Sequence, residues 1–421
     1  METIRFGFAK ADITPTCPVQ TVGFGRADET SRGVLDPLEM QATVWEGEHG
    51  RCCLMAIDHI GFSKVHANAM RDMLAQALGI TREKVMLCFS HCHSAPNDTV
   101  ESAWFDWVCK KALACAEEAL SGMTPVTVGW GNAYTDIGAN RRGGGEALDR
   151  RVGILKVCDG DSGKLRCLLL RLTVHCNVLK GDNYLISADC FGAVRRRLEQ
   201  AYGCPVLVTQ GASGNVAPRR ITSTLPYLPD ADDARFSRSP AALADNANTV
   251  YADTAETIAA IRPEKTNRLA MYAREIVLHA DVPAYERAVE IAEEAKKYCG
   301  IDGTGWLKEV ARLNRLGVTD QPDPTEIQFF AVGKGCLCGV ANEIMCEFAL
   351  EAAALTGNPF FYLGGYTNGS AGYFPTAAEF DQGGYEVYWS MLIYYIYYDR
   401  VFPLKRDSGS ELLAFVMDNR P

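Results

Sequence analysis

The sequence predicts an α/β fold: mixed β-sheets flanked by α-helices in a single large layered domain, residues 1–421. Three observations predict it. Short apolar runs and amphipathic stretches alternate along the chain, the pattern of sheets covered by helices. No internal repeat or low-complexity linker interrupts them. Several apolar runs end abruptly in histidine, asparagine, glutamate or tyrosine, as strands do where an α/β protein builds a site.

The strands come in this order: "ATVWEG", "CCLMAID", "VMLCFS", "VTVGWG", "VGILKV", "LRCLLLRLTVH", "PVLVTQ", "LAMYAREIVLH", "EIQFFAVG" and "CLCGVAN". Each is a run of branched, aromatic or small apolar residues bounded by turn formers. Helical periodicity appears near residues 65–79, 100–121, 189–202, 248–262, 283–299, 303–316, 344–355 and 384–393. The segment 283–316 reads as a helical hairpin with a solvated face. The stretch 221–248, rich in Pro, Asp, Ser and Ala, is the longest irregular one, and a loop of that length predicts a substrate-covering lid.

Composition narrows the function. The chain is 48% hydrophobic and 22% charged, as a soluble globular protein is, and no apolar run reaches eighteen residues. The N-terminal "METIRFGFAKADITP" lacks a basic stretch followed by a long apolar one, so a cytoplasmic location is expected. A net charge of −10 argues against nucleic acid and against anionic membrane. The expected partner is a small-molecule substrate, and an oligomer is left open. Sixteen cysteines are scattered through apolar runs without a C-x-x-C pair, so they read as reduced, buried small hydrophobes.

The candidate chemistry begins at "MLCFSHCHSAPND". The chain has only 7 histidines, and two of them, His91 and His93, follow one strand. In an extended backbone, residues i and i+2 share a face, so both rings would leave the strand end side by side. His175 ends a second apolar strand and enters "CNVLKGDNYLISAD". A third strand runs into "GASGNVAPR", a fourth into Glu343 of "GVANEIMCEF", and a fifth into the Gly, Asn and Tyr of "GGYTNGSAGYFPT". Five strand ends that carry ligand-type or hydrogen-bonding residues point to a site where they meet. "GDGDSGK" lacks phosphate-loop spacing and reads as a turn. Ser213 lacks the spacing of a nucleophile elbow, and the backbone N–H groups of Ser213 to Asn215 are expected to face substrate.

Taken in order, "ADITP", "SHCHSAP", "NRR", "TVHCN…ISAD", "QGASGNVAP", "ANE" and "GYTNGSAGYFPT…GGYE" resemble the N-terminal catalytic domain of the neutral (non-lysosomal) ceramidases and their shorter bacterial relatives. The resemblance runs from about Ala9 to Glu386. It implies a zinc amidase with one zinc held by His91, His175, Glu343 and Tyr373, an N₂O₂ set suited to zinc with room for a water. It implies that His93 lines the site beside the metal, and that Arg141, next to Asn140, contacts substrate; a histidine so placed can shuttle the proton to the leaving amine. Ser213 and Asn215 complete the expected substrate-binding set, with Tyr373 and Arg141 also at the reacting centre.

Two departures shape the expectation. The ceramidases carry a serine, assigned a catalytic role, where this chain has Ala217. They are also secreted and carry a further immunoglobulin-like domain. The expected activity is hydrolysis of an amide (C–N) bond in a small soluble substrate by zinc-activated water, in place of ceramide cleavage. The alternatives are a zinc-dependent lactone or ester hydrolase, or a non-catalytic ligand-binding relative.

Overall fold

The computed structural model describes residues 3–142, 145–219 and 239–421. An eight-stranded sheet forms its centre. Its strands are β1 (Arg5–Asp12), β2 (Glu39–Gly47), β3 (Gly50–Ile57), β4 (Val85–Phe89), β5 (Thr124–Tyr134), β6 (Arg151–Asp159), β7 (Leu165–Leu172) and β8 (Val206–Gln210). Their spatial order is β8-β7-β6-β5-β1-β2-β3-β4. The outermost pairs, β7–β8 and β3–β4, are parallel and the inner pairs antiparallel.

A second sheet contains β9 (Leu269–Asp281), β10 (Asp320–Val332), β11 (Gly335–Gly339) and β12 (Phe361–Gly364) in that order, with only β11–β12 parallel. The two sheets pack face to face. Phe6, Trp45, Leu54, Leu155 and Leu169 of the large sheet bury against Met271, Phe330 and Leu337 of the small one. Two aromatic rings key the sheets together. Trp130 and Tyr362 stack with centroids 5.6 Å apart, and each lies over a glycine of the opposite sheet. A Cβ on Gly335 would sit 2.3 Å from Trp130, and one on Gly153 would sit 2.4 Å from Tyr362.

Helices cover both outer faces. α1 (Lys64–Leu78) and α2 (Ser102–Ser121) pack Met70, Leu74 and Val108 on the β1–β4 half of the large sheet. α3 (Asp189–Tyr202) and α4 (Pro240–Ala260) pack Phe191, Val194 and Val250 on the other half. α5 (Tyr285–Cys299) and α6 (Thr304–Arg315) form the expected hairpin, buried through Ile291 and Trp306. Of α7 (Cys346–Thr356), α8 (Met391–Tyr398) and α9 (Ser408–Asn419), the first and last cover the small sheet through Phe348, Ala352, Leu412 and Val416. The result is helix, sheet, sheet, helix: the layered mixed α/β domain that the alternation predicts.

The differences have local causes. α4 begins well before the periodicity near 248 because Ser239 accepts the Ala242 N–H and Pro240 occupies the first helical turn. The stretch expected as a lid therefore divides: 239–248 is the capped start of α4, and 221–238 lie outside the described residues. The helix expected at 384–393 is a π turn, Tyr385–Trp389, followed by α8. The cysteines are unpaired thiols, most of them buried, and burial pushes the Cys52 thiol up to about 12. Among the described residues no helix is long and apolar enough to cross a membrane.

The sheet interface makes a direct prediction. Gly153→Ala forces a methyl into the Tyr362 ring and should destabilise the fold by about 1–3 kcal/mol, the usual range for overpacking. Urea unfolding of the two proteins measures it, with an unchanged m-value expected.

Candidate metal centre

The β8 edge of the large sheet comes round to the opposite half of the sheet, where Gln41 Nε2 on β2 donates to Val206 O on β8 at 3.0 Å. At the carboxyl ends the closure is tighter. Gln210, the last residue of β8, donates its amide N–H groups to Ser90 O (3.1 Å) and Val174 O (2.9 Å). Those carbonyls immediately precede His91 and His175. The ends of β4, β7, β8, β11 and β12 thus converge on one point.

His91 reaches it differently from the extended arrangement read in the sequence. β4 ends at Phe89, and His91 adopts a left-handed φ of 60°. That conformation costs a non-glycine residue on the order of 1–2 kcal/mol and marks a position the surroundings over-determine. The kink still sets the rings of His91 and His93 edge to face, centroids 4.8 Å apart. Gly23 is required beneath His93: its φ is +127°, and a Cβ there would lie 2.8 Å from the ring.

Each of the three imidazoles uses one nitrogen on a backbone carbonyl. His91 Nδ1 bonds Ile60 O (2.8 Å), His93 Nδ1 bonds Gly23 O (2.9 Å), and His175 Nδ1 bonds Ser213 O (3.2 Å). A carbonyl only accepts, so each Nδ1 carries a proton, and in the neutral ring the Nε2 presents a lone pair. His91 Nε2 lies 3.1 Å from His175 Nε2 and 3.2 Å from Glu343 Oε2, which is 3.8 Å from His175 Nε2. Electron pairs facing one another at hydrogen-bond distance, with no proton between the two imidazole nitrogens, call for a cation. Two ligands at about 2.0–2.1 Å from a tetrahedral zinc lie roughly 3.3 Å apart, so the observed spacing fits. The ligating atoms of His91, His93 and His175 lie within 4.8 Å of one another, but His93 Nε2 is buried without a hydrogen-bond partner. His91, His175 and Glu343 approach within 3.8 Å of one another, and His93 belongs to the same cluster of three histidines.

Tyr373 joins through a short parallel bridge in which Glu343 and Tyr373 are register partners. Its phenol oxygen accepts from Arg141 Nη2 at 3.0 Å. Arg141 also donates to Gly214 O (2.7 Å) and pairs with Glu386 (2.9 Å). Burial opposes the Arg141 charge, but Tyr373, Glu386 and Glu343 together outweigh it and raise its pKa. Burial and the Glu343 charge push the Tyr373 phenol well above its ordinary value, against Arg141. Burial, reinforced by neighbouring positive groups, holds His93 and His175 well below the usual histidine range, so both rings stay neutral. His91, His93, Glu343 and Tyr373 face a cavity of about 290 Å³.

The other expected residues serve the scaffold. Asn140 donates to Ala147 O (3.0 Å) and accepts the Arg142 N–H (2.9 Å), and it lines a neighbouring cavity. Asn215 clamps Glu347 (2.8 Å) and the Cys346 N–H (2.9 Å) at the start of α7. The Gly214 N–H, expected to face substrate, donates to Ile344 O (2.9 Å). Ser213 is fully buried. Its Oγ donates to Tyr366 Oη (3.0 Å), and Tyr366 Oη in turn reaches Glu343 Oε2 (3.5 Å). Ala217 pairs with Ala139 in a two-strand ladder and is not among the residues lining the metal-side cavity.

Tyr366 is the residue the sequence reading missed. It sits at φ 58°, packs on the His91 ring (4.4 Å), and joins Ser213 to Glu343. The available signal was its place in "LGGYTN", a large aromatic directly after a glycine pair at a strand end. Tyr366→Phe keeps the ring and removes the link. It should cost about 1–3 kcal/mol of stability, because Ser213 Oγ is left buried and unpaired. Loss of such an outer partner should also weaken metal retention about 10–100-fold. Denaturant titration and competition with a chelator read the two effects separately.

No protein-family profile matches the chain, and no curated protein sequence does. Solved structures do. The crystal structure of neutral ceramidase from Pseudomonas aeruginosa is similar at TM-score 0.67 and 18% identity, over 97% of this chain and 75% of that one. A ceramidase complexed with C2 is similar at TM-score 0.67 and 18% identity, over 96% of this chain and 76% of that one. The chain has the neutral ceramidase fold.

Proposed function

We propose that this protein is a zinc-dependent hydrolase of an amide (C–N) bond in a small soluble substrate. The observation that carries the reading is the convergence of His91 Nε2, His175 Nε2 and Glu343 Oε2 at the floor of a cavity, with Tyr373 alongside. The ceramidase fold of the structural neighbours supports amide cleavage, and the cavity's modest size supports a small substrate. Sixteen unpaired cysteines support a reducing, cytoplasmic setting.

In this reading His91, His175, Glu343 and Tyr373 hold the ion. When bound, zinc supplies an activated water and polarises the scissile carbonyl. The protein's own groups do the rest. His93, its Nδ1–H fixed on Gly23 O, holds a buried Nε2 without a hydrogen-bond partner beside the cluster, and its ring lines the cavity. It can take a proton from the attacking water and return it to the leaving nitrogen. Its lowered basicity keeps it unprotonated and ready at neutral pH. Arg141, tied to Gly214 O and Glu386, fixes the Tyr373 oxygen.

Elemental analysis of purified protein should find one zinc per chain, lost in His91→Ala and in His175→Ala. His93→Ala should keep the metal and lose turnover by roughly 10²-fold or more. Full zinc in both ligand variants would refute the site, and metal loss in the His93 variant would make that ring a ligand. A panel of N-acyl amides, esters and lactones, with and without chelator, separates the amidase from the lactone or ester hydrolase. Binding without any turnover would point to a non-catalytic relative.

Ala217→Ser tests the serine alternative. The added hydroxyl lies on a ladder away from the cavity lining, so turnover should change by less than about threefold. A hundredfold gain, or an acyl adduct on residue 217 by mass spectrometry, would replace the metal mechanism with a serine one.

A further inference from the structure

The cavity carries a second set of groups that hydrolysis does not use. Asp98 lines it and is only 4% exposed. Its Oδ2 accepts the Ser63 N–H (3.1 Å) and bonds His66 Nδ1 (2.8 Å). Among the described residues no donor reaches Oδ1. Of the other two carboxylates of the wall, Glu343 belongs to the histidine cluster, and Glu29 is satisfied on both oxygens: Oε1 by the Arg26 N–H (2.6 Å), Oε2 by Arg26 Nε (2.8 Å) and Thr21 Oγ1 (3.1 Å). Asp98 Oδ1 is not sealed off in the protein interior but opens on the cavity, so a group that displaces water there must bring a donor or a positive charge.

The rest of the wall selects what enters. No lysine or arginine lines the cavity among the described residues. Tyr385, Tyr394, Tyr397 and Tyr398 do line it, and the rings of Tyr394 and Tyr398 lie 6.0 Å apart. Tyrosine faces attract a cation through the ring quadrupole, the more so when water is excluded. A neutral donor such as a hydroxyl would satisfy Asp98 but would gain little from the rings. An anion would be repelled by Asp98.

We infer that the cavity recognises a substrate carrying an alkylammonium group, seated against Asp98 and the tyrosine rings while its scissile bond lies over the histidines. The ammonium site is a property of the cavity. Only the word substrate rests on the hydrolase reading.

The test uses choline and its uncharged isostere, 3,3-dimethylbutan-1-ol, titrated calorimetrically into the purified full-length protein at pH 8. The two have the same shape and hydroxyl, and neither offers a nitrogen lone pair to a metal. Choline should bind at least tenfold tighter. In Asp98→Asn, which can still accept from Ser63 N–H, the preference should fall to within about twofold. Tyr397→Leu, at a half-exposed position, should weaken choline several-fold and leave the isostere unchanged. Equal or tighter binding of the isostere by the wild type, or binding of neither, overturns the inference, and so does a preference that survives Asp98→Asn. Should that variant not fold, the wild-type pair and Tyr397→Leu decide alone. Turnover on the amide panel without a choline preference removes this inference and leaves the hydrolase. A choline preference without turnover does the reverse.

Discussion

Gln210 occupies the end of β8, 1% exposed, and every hydrogen-bonding group of its amide is used. Two N–H bonds go to Ser90 O and Val174 O, and its oxygen accepts the Gly211 N–H at 3.1 Å. It therefore ties the first edge strand of the large sheet to the last one, and the two histidine-bearing segments to each other. A twisted eight-stranded sheet has no intrinsic reason to bring its edges together at that point. The amide supplies one, and His91 and His175 inherit their separation from it.

The rings are then fixed by what lies behind them. Backbone carbonyls of Ile60, Gly23 and Ser213 choose the tautomer of all three histidines, so three lone pairs face inward. This is the arrangement of metal-binding histidines generally, where a second contact sets ring orientation and basicity. The left-handed backbone at His91 and Tyr366 belongs to the same scheme. Both residues hold unfavourable conformations because the Ile60 carbonyl, the Ser213 hydroxyl and the opposed strand segments leave them no other.

The sheet strands were legible because their apolar runs are unbroken, and His91, His93, His175 and Glu343 because a ligand-type residue after such a run is conspicuous. What the sequence hid was direction. Asn140 looked like a substrate contact, yet its oxygen accepts the N–H two residues on, a local turn contact that nearby backbone chemistry favours. Gln210 read as the last residue of a strand, and nothing in "PVLVTQ" tells which carbonyls its amide will meet. β1, with its "RFGFAKAD" mixture, and the terminal helix α9 also escaped, since neither has a clean period over enough residues. Tyr366 escaped because a single tyrosine in a glycine-rich turn is ordinarily packing.

The closure of the sheet has a kinetic side. The two histidines that meet at 3.1 Å are 84 residues apart in the chain, one following the edge strand β4 and the other following β7 at the far side of the large sheet. Contacts of such long range form late and slowly, after the loop-closure entropy between them has been overcome. An ion that binds the assembled cluster finds no comparable cluster in the unfolded chain. It would act on the unfolding limb more than on the folding one, lengthening the lifetime of the closed sheet while leaving the rate of reaching it nearly unchanged.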